Sequence, residues 1–284
     1  WQSPKWLGKC SSCGSWEGLV ELKESQIKHI ETQKHATTSS NAIPITQVHT
    51  ENITHFSSYE EEFDIVLGGG IVPGGLYLIG GSPGVGKSTL LLKIAADIAT
   101  KSHKKILYVS GEESAGQIKL RASRLSALSE NLYLLNEIDL NIITNALHAQ
   151  EYTLCVIDSI QTIYAPELAS APGSVSQVRE VTFALMRLAK ERHISIFIIG
   201  HITKDGAIAG PRILEHMVDC VLYFEGDPSK ELRVLRGFKN RFGTTSEIGI
   251  FEMKAEGLVS AKNASKLFFT QKSAQAGSAI AVVL

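Results

Sequence analysis

Gly81-Ser82-Pro83-Gly84-Val85-Gly86-Lys87-Ser88 decides how this chain folds. The stretch satisfies G-x-x-x-x-G-K-S/T at every fixed position. An apolar run, Leu76–Ile79, leads into it, and a helix-patterned stretch, Lys87–Thr100, leads out. A strand before and a helix after are the context in which this pattern forms a phosphate-binding loop. Successive backbone N–H groups must turn inward around phosphate oxygens, and glycine permits the close approach and positive φ angles this needs. The helix N-terminus adds partial positive charge. Lys87 would reach the β- and γ-phosphates of a nucleotide, the Ser88 hydroxyl would ligate Mg²⁺, and Thr89 would touch the α-phosphate. Lys87 is expected to stand in water until nucleotide arrives, so that removing it should spare the fold.

Outward from this loop, short apolar runs alternate with helix-like stretches. Strands are expected at 76–79, 106–110, 132–135, 153–158, 194–200, 220–224, 232–239 and 246–253, and helices at 87–100, 115–128, 140–148 and 175–192. The early strands are unbroken Ile/Val/Leu runs, which implies burial on both faces and a parallel sheet. Repeated βαβ units predict an open, mostly parallel and twisted α/β sheet. Only residues 240–245 separate the last two strands, so an antiparallel pair is expected at that edge.

A phosphate site that works through a metal needs carboxylates. Leu154-Cys-Val-Ile-Asp158 is an apolar strand ending in Asp, the Walker B arrangement, and Asp158 is expected to hold the Mg²⁺ shell through water. Hydrolysis also needs a group that orients or deprotonates water. Val109-Ser-Gly-Glu112-Glu113 ends the strand after the loop helix. A carboxylate there can face the γ-phosphate if that strand lies next to the loop strand. Glu112 is the first choice and Glu113 the second. The plainer reading is that both cap the helix at 115.

The chain has 284 residues, 44% of them hydrophobic and 20% charged, with net charge −1. Its mean hydropathy is +0.05. These values exclude wholesale disorder. No apolar run approaches the ~20 residues of a membrane helix. Trp1 begins the chain with no initiator Met and no secretory signal, which reads as a fragment of a cytoplasmic protein. Near-zero net charge excludes a diffuse basic surface but not a few basic loops facing one way. Cys155 and Cys220 lie in apolar runs and read as buried strand cysteines.

Residues 1–22 differ from the rest, with all three Trp and a Cys10-x-x-Cys13 pair. Residues 23–55 are polar and read as a linker. The α/β pattern fills 56–262, and 263–284 begins something further. Two thiolates cannot by themselves complete a tetrahedral zinc site. A redox pair is the alternative.

The order of these motifs resembles the RecA-like ATPases, in which the catalytic Glu ends the second strand and Walker B a later one. Leu67-Gly-Gly-Gly-Ile-Val-Pro-Gly-Gly-Leu76 leads into the loop as it does in RecA-like and DnaB-like proteins. Lys239-Asn-Arg-Phe-Gly243 looks like the signature of the bacterial RadA (Sms) family of DNA-repair proteins. Trp6-Leu-Gly-Lys-Cys10-x-x-Cys13-Gly-x-Trp16 resembles the second half of that family's four-cysteine zinc finger. Ser265-x-x-Phe268 and Gly277-Ser-Ala-Ile-Ala resemble the opening of its Lon-protease-like domain.

The resemblance implies ATP with Mg²⁺ in the site and Zn²⁺ in the complete finger. It implies that Lys239 and Arg241, after a strand, reach the γ-phosphate of a neighbouring subunit. It puts His201 where such proteins carry a γ-phosphate sensor. It makes the stretch from Lys204 to Arg212 a DNA-binding loop and 165–176 a second one, with Arg179 facing the channel. It implies a hexameric ring that moves on single-stranded DNA, promotes branch migration of recombination intermediates and acts with RecA, with no membrane partner. A non-translocating ATP switch of the KaiC kind is the rival reading.

Overall fold

A nine-stranded sheet runs through the described residues in the order β3-β2-β4-β5-β1-β6-β7-β8-β9. The strands are β1 (Leu76–Gly81), β2 (Ile106–Ser110), β3 (Leu132–Leu135), β4 (Leu154–Asp158), β5 (Ser195–His201), β6 (Cys220–Glu225), β7 (Leu232–Asn240), β8 (Ile248–Lys254) and β9 (Gly257–Ser260). Strands β1 to β6 pair in parallel, and β6 to β9 pair antiparallel. The helices are α1 (Glu61–Leu67), α2 (Lys87–Ser102), α3 (Ala115–Arg124), α4 (Leu140–Ala149), α5 (Val175–Arg192) and α6 (Ile213–Met217).

The computed structural model describes residues 44–47, 54–201, 213–226, 231–254 and 257–261. The chain divides into two compact units, Trp1–Glu51 and Asn52–Leu284. In the first, Ile45–Gln47 forms a 3₁₀ turn. The half finger expected around Cys10 and Cys13, the DNA-binding loop expected from Lys204 to Arg212, and residues 263–284 lie outside the described residues, as does the side chain of His201.

Strand alternation builds two cores. Tyr77, Ile79, Tyr108, Val156, Phe197 and Ile199 face α1, α2 and α3. Leu76, Leu78, Val109, Ile157, Ile196 and Ile198 face α4, α5 and α6. Every central strand is therefore apolar on both faces, which is why these strands read as unbroken runs. Cys155 and Cys220 are buried and free, and burial pushes the Cys220 thiol up to about 12.

Local signals set the helix ends. Ser114 forms a capping box with Gln117 and opens α3. Helix α3 stops at Arg124, four residues short of the expected end, because Ser126 turns left-handed at φ 53°. Among the described residues, α1, α6, β9 and the 3₁₀ turn were not expected. The signal for α1 was present in miniature. Glu61, Glu62 and Asp64 occupy its first turn, Phe63, Val66 and Leu67 are buried, and Gly68 closes it at φ 82°. Seven residues are too few for helical periodicity to stand out.

Candidate nucleotide site

The phosphate loop joins β1 to α2 at the carboxyl ends of the parallel strands. Gly84 and Gly86 have φ of +77° and +111°, which L side chains rarely adopt. Gly81 is needed for a different reason: a Cβ there would stand 2.3 Å from the carbonyl oxygen of Phe224 on β6. Ser82, Pro83 and Gly84 form the exposed tip, Val85 is buried beneath it, and Ser88 and Thr89 are half-buried in the first turn of α2.

Lys87 corrects an expectation. It is 4% exposed rather than solvated. Its Nζ donates to the carbonyl oxygens of Gly81 at 2.8 Å and Ser82 at 3.0 Å. Desolvation lowers its pKa, opposed by the nearby carboxylates of Asp158 and Glu112. An ammonium has three protons. Two hold the loop carbonyls, and the third can be given to a phosphate oxygen.

Asp158 ends β4 and is 6% exposed. The phenol of Tyr108, on β2, donates to its Oδ2 at 2.6 Å. Burial, then the Asp158 carboxylate, pushes the Tyr108 phenol well above its usual range, so it remains a donor; the Arg121 guanidinium and then the Ser88 hydroxyl oppose this. Tyr108 thus steadies Asp158, which is expected, with Ser88, to hold Mg²⁺. Hard oxygen donors of this kind suit Mg²⁺. Tyr108 looked like one more apolar strand residue in the sequence, and only its neighbours give the hydroxyl a task. Tyr108→Phe is expected to weaken ADP affinity about tenfold in Mg²⁺ and to leave it unchanged in EDTA, since outer partners of metal ligands carry effects of that size. Titrating a fluorescent ADP under both conditions measures this.

The condition set for Glu112 fails: β2 does not lie beside β1, because β4 and β5 stand between them. Glu112 still joins the site. It lies beyond the end of β2, where Ser159, the residue after Asp158, donates to its Oε1. Its carboxylate is close enough to raise the pKa of Lys87. Glu113 is engaged elsewhere, in an ion pair with Arg121 on α3. The structure therefore brings Glu112, and not Glu113, toward Lys87 and Asp158. The backbone of His201 pairs with Gly81 at the end of β5, beside the loop.

Lys239 and Arg241 are elsewhere. The backbone N–H of Arg241 donates to the carbonyl of Asp219, and that of Asp219 to the carbonyl of Leu76. Leu76 begins β1, whereas the phosphate loop follows its end. A six-residue strand separates the two by about 17 Å at ~3.3 Å per residue. Lys239 lies within β7 rather than after it, and its Nζ caps α6 through the carbonyls of Glu215 and Val218, each at 2.8 Å. Asp219, which is 5% exposed, holds the guanidinium of Arg241 at 3.3 Å and the ammonium of Lys190 at 2.7 Å. Asp219 was not anticipated; a single Asp before an apolar run carries no signal until the tertiary pairing is known.

Arg179 is exposed near the start of α5. The segment before that helix, expected to be the second DNA-binding loop, is tied down by hydrogen bonds. Gln177, which is 1% exposed, gathers it in, accepting from the Ala165 N–H at 2.7 Å and donating to the carbonyls of Ala165, Leu168 and Ser170. Among the described residues no cluster of three or more His, Cys, Asp or Glu could hold a metal ion, and no helix is long and apolar enough to cross a membrane.

Comparison with known proteins agrees with this geometry. The family described as AAA domain matches residues 52–207. The DNA repair protein RadA of Helicobacter pylori is 62% identical over 283 residues, covering 99% of this chain and 63% of the relative. The RadA proteins of Campylobacter jejuni and Bacillus subtilis are 59% and 49% identical. The chain spans 63% of the length of the first of these relatives. Among solved structures, a KaiC-like protein of Pyrococcus horikoshii aligns with TM-score 0.61 at 21% identity, over 73% of this chain and 99% of its own. The RadB recombinase aligns with TM-score 0.56 at 22% identity, over 72% of this chain and 99% of its own. Those likenesses establish the fold. A RecA-like sheet carrying an intact phosphate loop and a family match to more than half the chain lead to one assignment: the chain belongs to the AAA-domain family of P-loop proteins, and it resembles RadA proteins along nearly its whole length.

Proposed function

We propose that the chain is the ATP-hydrolysing core of a DNA motor acting in recombination and repair, and that it works as a ring. One observation carries this reading: the phosphate loop and Arg241 stand at opposite ends of β1. The phosphate loop, Asp158 and Glu112 are at the carboxyl ends of the parallel strands, while Arg241 is anchored by Asp219 at the amino end of β1. An arginine so placed cannot serve its own loop. It can serve the loop of the next subunit in a head-to-tail assembly. There it would neutralise charge developing in phosphoryl transfer, and turnover would depend on assembly. Lys239 would support this by fixing α6 against β7. Mg²⁺, when bound, would supply positive charge against the phosphates. Ser88 and Asp158 would hold it, Lys87 would donate to the phosphates, Glu112 would accept a proton from the attacking water, and His201 would report the γ-phosphate.

A hexamer is the arrangement the family resemblance favours, with branch migration in concert with RecA as its task. In the same reading, residues 1–22 complete a zinc finger with cysteines supplied from upstream, and residues 263–284 open a further domain. With net charge −1, the protein must hold DNA through a few residues multiplied by symmetry. Lys204, Arg212 and Arg179 are the candidates. Contacts to phosphates are sequence-independent and salt-dependent, about −0.7 in log–log slope per phosphate on a single strand. Single-stranded DNA is expected to stimulate ATP turnover. Lys204→Ala is expected to lower the salt slope of single-strand affinity and to spare turnover measured without DNA. ATP turnover indifferent to DNA, with an unchanged slope, would overturn the motor and favour a non-translocating switch.

A further inference from the structure

Arg233 on β7 is 3% exposed, and nothing in the phosphate chemistry described so far calls for it. Its Nε donates to the carbonyl oxygen of Val85 at 3.1 Å, and its Nη1 to that of Leu232 at 2.9 Å. Val85 belongs to the phosphate loop. Burying a guanidinium is costly unless its donors are used. Gly226 makes room for it: a Cβ there would stand 2.4 Å from Arg233 Cδ.

The direction of that hydrogen bond matters. The peptide unit between Val85 and Gly86 is trans, and in a planar trans unit C=O and N–H point in opposite directions. A guanidinium that holds the Val85 carbonyl from the β7 side therefore aims the Gly86 N–H the other way. Gly86 is the N-cap of α2, with φ 111° and ψ 14°. Its N–H thus belongs to the helix N-terminus, where phosphate oxygens are bound. A charged donor also polarises the peptide it grips and strengthens the N–H at the far side.

We propose that Arg233 is a positioning residue for the phosphate loop, fixing the Val85–Gly86 peptide so that the Gly86 N–H faces the phosphates. Arg233 acts through the loop and touches no nucleotide. Gly226 has the matching task of leaving space for the guanidinium. The same strand carries Lys239 toward its other end.

The proposal rests on the loop being a nucleotide site, and one set of titrations separates the two ideas. A fluorescent ADP is titrated onto wild type, Arg233→Met, Arg233→Lys and Gly226→Ala. Inorganic pyrophosphate is then used as competitor, and melting temperatures are recorded without nucleotide. Arg233→Met and Gly226→Ala are expected to weaken ADP and pyrophosphate equally, by about tenfold, the equivalent of one hydrogen bond. Arg233→Lys keeps a cationic donor and is expected within about threefold of wild type. Wild type that binds neither ligand would overturn the nucleotide reading itself. Wild type that binds both, with folded Arg233→Met or Gly226→Ala within twofold of it, would overturn the role of Arg233. So would a loss confined to ADP, or a Lys variant no better than Met. If Arg233→Met does not fold, Gly226→Ala decides alone, because it displaces the guanidinium without deleting it.

Discussion

Lys87→Ala is expected to abolish ATP turnover, by at least the ~10²–10³-fold that removing one donor to a developing negative charge costs. The melting temperature without nucleotide is expected to move by only a few degrees. The reason for the small shift is not the one the sequence suggested. Lys87 is buried and bonded to the carbonyls of Gly81 and Ser82, so its loss removes two hydrogen bonds. The same change relieves the desolvation that lowers its pKa. The two terms oppose each other, and a residual of about 1 kcal/mol shifts the melting temperature of a domain this size by ~2–4 °C. A coupled assay of phosphate release and a thermal melt test both halves. Wild-type turnover in the variant would remove Lys87 from the chemistry. A collapse of the fold would mean that the two carbonyl bonds outweigh the desolvation.

Arg241→Ala and Glu112→Gln proteins are each expected to be inactive alone and active in mixture. Glu112→Gln keeps the shape of the site and loses the acceptor of the water proton, a change of ~10²–10⁴-fold. Arg241→Ala removes charge from the far end of the sheet, and losses near ~10³-fold are typical of arginines supplied to a phosphoryl transfer. In randomly mixed head-to-tail rings, roughly a quarter of interfaces join an intact Glu112 to an intact Arg241, so turnover should recover toward about a quarter of wild type. Absence of recovery in oligomers shown to be mixed would place Arg241 outside the neighbour's site. The same variant carries a control for folding. Asp219 still has Lys190 and the Leu76 N–H as donors when Arg241 is gone, so no buried carboxylate is left bare.

The line between what could be read in the chain and what could not follows the range of the forces involved. The phosphate loop, Asp158 at the end of its strand and the parallel core were legible because local rules produce them. Glycines supply positive φ within a few residues, and a strand buried on both faces must be an unbroken apolar run. Glu112 was legible as a candidate, but the condition attached to it was wrong. What brings it in is Ser159, on the loop after β4, and not adjacency of β2 to β1. Helix α1 escaped because seven residues are too few for helical periodicity to stand out.

Tyr108, Asp219 and Arg233 escaped for another reason. Each is a polar or charged group set in an ordinary amphipathic or apolar pattern, and its meaning depends on a partner distant in sequence. Tyr108 meets Asp158 50 residues away, and Arg233 meets Val85 148 residues away. Chain pattern encodes burial and backbone geometry, which are properties of neighbours in sequence. It does not encode which buried donor faces which acceptor across a sheet; that follows only once strand order and register set the strands side by side.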